Sequence, residues 1–197
     1  GVDNNGGAFH FNNSEVTLDS IRITGCNAYS RGGGIYIANS NSPEKFVIKN
    51  TIIENGNEAA LGGGIYIKNS NVIIDSSIIR GNEAETSVSQ DLEGHGGGIF
   101  VYNSDVEISN SQINLNQATL QENKGGALYF EGDGSGNIIK IFNTDIRGNI
   151  AKTASAIYAK SINVVLDRVT ISGNHFNGNI GAAVYVEMAP MMARAVS

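Results

Sequence analysis

Tryptophan is absent, proline occurs twice and cysteine once, and no apolar run reaches the 18 residues needed for a membrane-crossing helix. A single thiol, Cys26, cannot close an internal bridge, which excludes a disulfide-stapled scaffold and leaves a small buried thiol as its plainest role. Neither sign of charge is gathered in a block. The 13 basic and 19 acidic residues give a net charge of −6 spread along the chain, which argues against nucleic acid and against direct membrane insertion. The first residue is Gly1, with no charged leader and no apolar segment behind it, so any export signal is expected outside this sequence.

What abounds is glycine, 25 residues, set among Asn and Ser between short apolar segments. That composition predicts many tight turns and little helix. With 41% hydrophobic residues the chain can form one domain with a continuous core.

One phrase, Gly-Gly-small followed by apolar, aromatic, apolar, returns seven times. It reads Gly32-Gly33-Gly34-Ile35-Tyr36-Ile37 and Gly62-Gly63-Gly64-Ile65-Tyr66-Ile67 early on, and Gly125-Gly126-Ala127-Leu128-Tyr129-Phe130 later. The copies start at 6, 32, 62, 96, 125, 154 and 181, hence at steps of 26, 30, 34, 29, 29 and 27. A second phrase, Ile-x-x-Asn, follows in most copies: Ile79 to Asn82, Ile113 to Asn116, Ile146 to Asn149 and Ile171 to Asn174. Cys26 takes the Asn place in the first copy, and a one-residue slip puts Gly56-Asn57 there in the second. Between the two phrases runs a third alternating segment, such as Val72-Ile73-Ile74 or Val106-Glu107-Ile108.

Three short alternating segments per copy, parted by Gly, Asn and Ser, are too brief for helices and place every second side chain on one face. Each copy is therefore one three-sided coil of a parallel β-helix. Seven coils stacked at about 4.8 Å make a rod of roughly 34 Å. Columns of Ile35, Ile65, Ile99, Leu128 and Ile157, and of Ile79, Ile113, Ile146 and Ile171, are expected inside the tube. Asn82, Asn116, Asn149 and Asn174 are expected to stack as an amide ladder at a corner, ended by Cys26. Loss of the paired glycines at Ala154-Ser155 predicts a locally different turn. The β-helix domain is expected over residues 1–187. The last segment, 188–197, holds all three methionines and Pro190 and is expected to be a tail, a cap or a linker to a following module.

The Gly-Gly-small-apolar and Ile-x-x-Asn phrases over residues 6–186 resemble the Gly-Gly-Ala-Ile and Phe-x-x-Asn repeats of chlamydial-type polymorphic outer-membrane proteins, whose passengers resemble autotransporter and pectin-lyase-like β-helices. This sequence departs from that family in having Ile where its second phrase has Phe, as at Ile79 and Ile146. The resemblance implies a right-handed helix and an exported, extracellular or cell-surface rod or adhesin built from many such coils.

Many β-helices cleave polysaccharides, and two fragments, Asn143-Thr144-Asp145 and Gly94-His95-Gly96, match polygalacturonase-like motifs, though in reversed order and without the Asp-Asp and Arg-Ile-Lys that accompany them. Acid and base catalysis requires carboxylates facing one cleft, whereas Asp75, Asp105, Asp145 and Asp167 drift between repeat slots. His10, His95 and His175 fall in different coils, so no metal site and no cofactor are expected. An ice-binding face would need a regular outward Thr array, and the middle strands offer Thr17, Val47, Ile73, Glu107, Lys140 and Val165 instead.

The candidate surface is a stripe of His10, Tyr36, Tyr66, Phe100, Tyr129, Tyr158 and Tyr185, which alternation points outward. It could dock a partner or a glycan, or simply stack rung on rung. The polar insertion from Glu83 to His95 is a second candidate for function or for disorder. The leading expectation is a non-catalytic rod that packs end to end with neighbouring β-helix modules or subunits and contacts glycans or a host surface protein. The alternative is a fragment of a carbohydrate-active β-helix enzyme.

Overall fold

The computed structural model describes residues 4–85, 94–119, 122–178, 181–187 and 191–194. Every strand pairing is parallel and joins one repeat to the next in register: Ile35 lies beside Ile65, Ile65 beside Ile99, Ile99 beside Leu128 and Leu128 beside Ile157. The chain thus winds through six complete turns and enters a seventh. Two sheets have seven strands each: one runs from Phe9–Asn12 to Val184–Glu187, the other from Thr17–Asp19 to Met191–Arg194. We refer to these as the aromatic and aliphatic sheets. A third sheet of six strands runs from Arg22–Thr24 to Thr170–Ser172.

A fourth, narrow sheet adds to the three expected. Its five strands have two residues each, from Glu58–Ala59 to His175–Phe176, and follow the Asn corner. Two residues carry no measurable period, so alternation cannot reveal such a side. Ala84, Ala118 and Ala151 line it as a small column of their own. It explains the paired glycines. A β-carbon on Gly63 would lie 2.3 Å from the Glu83 carbonyl oxygen, and one on Gly97 the same distance from that of Gln117. The glycine before each of these, such as Gly62 at φ +66° or Gly96 at φ +68°, takes the left-handed conformation.

At Ala154-Ser155 the expected change of turn does not occur. Ala154 holds φ +53°, close to the glycines above it, because stacking fixes the backbone: its carbonyl accepts from Gly126 N–H and its neighbour Thr153 from Gly125 N–H. Within the expected tail, cap or linker, Met191–Arg194 forms a strand, with Met191 beside Val164 and Arg194 beside Asp167.

Inside, columns of Ile35–Ile65–Ile99, Ile48–Ile74–Ile108 and Ile53–Ile79–Ile113 are fully buried, along with Phe46 and Phe130. Each such side chain contributes about 1.5–3 kcal/mol relative to exposure. Where Phe130 widens a rung, its neighbour in the next turn is Ala159.

Three polar ladders close the corners of this apolar tube. The amide ladder runs Asn57, Asn82, Asn116, Asn149, Asn174, each Nδ2 donating to the next Oδ1 at 2.8–3.1 Å. Cys26 N–H donates to Asn57 Oδ1 at the first rung. Two further ladders are made of hydroxyls: Ser40, Ser70 and Ser104 at one corner, and Thr51, Ser77, Ser111 and Thr144 at another. In each, a backbone N–H of one turn is taken up by the side chain of the turn after it, which satisfies corner donors that the sheets cannot reach.

Candidate functional site

The aromatic stripe is the first surface to examine. Alternation sends these rings out of the tube, and they stack in one column: Tyr36 on Tyr66, Tyr66 on Phe100, Phe100 on Tyr129, Tyr129 on Tyr158 and Tyr158 on Tyr185, with centroids 4.8–5.4 Å apart. Outward does not mean open, however. Tyr66, Phe100, Tyr129 and Tyr158 are only 3–5% exposed, because rings above and below cover their faces and Leu61 and Ala154 pack alongside. Arg31 lies over Tyr66, Lys124 over Tyr158, and His95 stacks on Tyr129 at 4.6 Å. Burial pushes the Tyr66 hydroxyl up to about 12 and raises Tyr158 as well. Tyr158 donates to Glu187 at 2.7 Å and Tyr129 to Glu131 at 3.1 Å. Accessible aromatic surface is confined to the ends of the column, at His10, Tyr36 and Tyr185.

The amide ladder is interior. Asn82, Asn116 and Asn149 are fully buried, so they cannot meet a ligand.

Both enzyme-like fragments have structural employment. Thr144 belongs to a hydroxyl ladder, and Asn143 donates to Asn110 and accepts from Arg168. Asp145 pairs with Arg147 at 3.0 Å. His95 accepts the Lys124 backbone N–H at Nδ1. Of the scattered aspartates, Asp75 receives Ser109 and Asn110, which lower its pKa, and Asp105 receives Ile138 N–H. Within the Glu83–His95 insertion, Glu83 and Ala84 join the narrow sheet; residues 86–93 lie outside the described ones.

Two carboxylate arrangements were not apparent from spacing alone. Glu54 is wholly covered and bridged by Arg80, at 2.6 Å to Nε, and by Arg22, so its pKa is lowered chiefly by the Arg80 hydrogen bond. On the narrow sheet Glu58 pairs in register with Glu83. A hydrogen bond with Glu85 raises Glu58, and burial raises Glu83. An Asn-x-Ala phrase, in Asn57-Glu58-Ala59 and Asn82-Glu83-Ala84, is the signal that would have aligned them. No group of three or more His, Cys, Asp or Glu side chains is placed to hold a metal ion among the described residues.

A polar groove of about 550 Å³ lies at the corner between the aromatic and aliphatic sheets, lined by Asn39, Asn69, Asn71, Asn103, Asp105 and Asp133 among others. Ser135 hydrogen bonds hold Asp133 below the usual carboxylate range. A smaller depression of about 250 Å³ adjoins it on the aliphatic sheet, where Lys45, Glu107 and Lys140 meet.

Residues 2–144 match the family model for a right-handed beta helix region. No curated protein and no solved structure matches the chain.

Proposed function

The chain belongs to the right-handed β-helix family, and on that premise we propose that it is a non-catalytic rod, one stretch of an exported surface protein of the autotransporter-passenger kind, extended by stacking on further β-helix coils. One observation carries this reading: every coil repeats the one before it in register, with parallel strands and unbroken interior columns such as Ile35–Ile65–Ile99, so a further coil of the same pattern adds to the rod without altering it. A solenoid turn finds its natural cover in another turn. The structural employment of Thr144, His95 and the ladder asparagines supports the absence of catalysis. Sedimentation velocity on the 197-residue chain over a hundredfold concentration range tests it. Concentration-dependent end-to-end association is expected, and a monomer throughout would overturn the stacking. A second reading, a carbohydrate-active β-helix enzyme, is favoured by the Glu58–Glu85 pair, since a carboxylate whose pKa is raised by a neighbouring carboxylate is a candidate general acid. Release of reducing ends from polysaccharide, lost in Glu58→Gln, would establish that reading in place of the first.

A further inference from the structure

Tyr36, Tyr66, Phe100, Tyr129 and Tyr158 stack without a gap over coils two to six, each ring within 11° of parallel to the next and with centroids 4.8–5.3 Å apart. Strand register fixes the spacing, since each ring sits on the Cα partner of the one before. All but Phe100 are phenols, which give up one electron more readily than any other ring in a chain without tryptophan. Tyr36 is half-buried and open to small solutes, whereas Tyr66, Phe100, Tyr129 and Tyr158 are only 3–5% exposed. The column thus joins an accessible phenol to shielded ones.

The charged neighbours of the phenols are not alike. Arg31 lies over the Tyr66 ring at 5.7 Å; a guanidinium only donates, so it cannot take a phenolic proton. Tyr129 donates to Glu131 at 3.1 Å, and that carboxylate shares its charge with Lys160 at 3.8 Å. Tyr158 donates to Glu187 at 2.7 Å, the shorter bond of the two. Burial, and then the Glu187 hydrogen bond, raise the Tyr158 pKa, so the phenol keeps its proton while it keeps its electron. The Lys124 ammonium stands 5.1 Å over the same ring and opposes a positive charge there. Tyr158 can therefore lose an electron only as its proton leaves, and Glu187 is in place to receive it.

We infer that the aromatic column is a one-electron relay, which takes oxidising equivalents from small radical oxidants in the medium and brings them to rest on Tyr158. The oxidant, of the class of carbonate or nitrogen dioxide radical, removes an electron at Tyr36. Electrons then pass up the stack from Tyr66, Tyr129 and Tyr158 in turn, and Phe100, which has no proton to lose, is crossed rather than occupied. At the end the Tyr158 phenol and the Glu187 carboxylate have become a neutral phenoxyl radical and a carboxylic acid: one electron has gone to the oxidant, and one proton from Oη to Oε2. No bond to carbon forms or breaks. A one-electron reductant of the ascorbate class restores the phenol, and Glu187 returns the proton.

The test is flash oxidation of the 197-residue chain by photogenerated tris(bipyridyl)ruthenium(III) with persulfate as quencher, read by the transient absorption of the tyrosyl radical. A radical that outlives that of free N-acetyltyrosinamide is expected. Tyr158→Phe keeps the ring in the stack and removes only the hydroxyl, and is expected to shorten the lifetime by about tenfold or more. Glu187→Gln keeps an acceptor but loses the base, and is expected to do likewise, which a merely structural hydrogen bond would not. Tyr129→Phe lengthens the span without a phenol and should lower the yield of the long-lived radical. Tyr29→Phe removes the most exposed tyrosine, 46% open and outside the column, and should change neither yield nor lifetime. A parent radical no longer lived than the free one, loss of the signal in Tyr29→Phe, an unchanged yield in Tyr129→Phe, or the full lifetime in either Tyr158→Phe or Glu187→Gln would overturn the relay.

Discussion

Asn82 delivers two hydrogens, from its backbone N–H and from Nδ2, to a single oxygen, Oδ1 of Asn116, each at 3.0 Å. Asn116 repeats the arrangement on Asn149 and also donates to the Ile79 carbonyl. Asn116→Ala therefore strands a backbone donor and a carbonyl in the interior, and is expected to cost about 2–5 kcal/mol. Asn174→Ala, at the partly exposed final rung, should cost less. Urea unfolding with unchanged m-values is the measurement.

Ile99 is fully buried between Ile65 and Leu128. In Ile99→Asp an unpaired carboxylate faces apolar rungs on both sides, so cooperative unfolding is expected to be lost at neutral pH. Ile99→Ala should retain a cooperative transition, weakened by about 2–5 kcal/mol. An unchanged melting temperature for Ile99→Asp would contradict the inward placement.

The glycines divide into two classes that mutagenesis can separate. At Gly97 an added β-carbon would sit 2.3 Å from a carbonyl oxygen, so Gly97→Ala should prevent the turn from closing. At Gly25, with φ +62° and nothing within 4 Å, Gly25→Ala meets only the conformational penalty of about 1–2 kcal/mol. Conversely, Leu115 holds φ +58° while 65% exposed, and Leu115→Gly should stabilise by about 0.5–1 kcal/mol. Thermal melts of the three variants check the order.

Two carboxylates should show opposite pH dependences. The Glu58 pKa is raised, so the folded state holds its proton more tightly; its contribution is complete below about 4.5 and lost as pH rises through the folded value. Glu58→Gln should then gain on the parent as pH rises. The Asp75 pKa is lowered, so its contribution is present above about 3.8 and lost as pH falls through the folded value. Asp75→Asn should be the less stable at neutral pH and converge with the parent in acid. Melting temperatures of the three proteins across about pH 3 to 8 read both signs.

The main architecture was legible because Gly33, Gly63 and Gly97 mark close backbone contacts with no room for a side chain, and such marks recur through the first five turns. The aliphatic columns followed from alternation. Features with no period escaped: the two-residue strands of the narrow sheet, and the hydroxyl ladder of Ser40, Ser70 and Ser104, although an Asn-Ser pair returns at each of those positions. Side-chain accessibility was not legible either. Alternation gives the direction in which Tyr129 points and is silent on His95 lying across it. The bond from Asn103 to Asp133 was hidden for a similar reason, since Gly132 takes the register place of Asn103 in the next turn and Asp133 belongs to an insertion outside the repeat.

The interior ladders share one sense: from Ser40 to Ser70, from Ser77 to Ser111 and from Asn116 to Asn149, the N–H belongs to the earlier turn and the receiving oxygen to the later. The rod is consequently a vector, with chemically unlike termini. Under the proposed stacking, only first face on last continues these ladders, so a filament built that way would have two unlike ends.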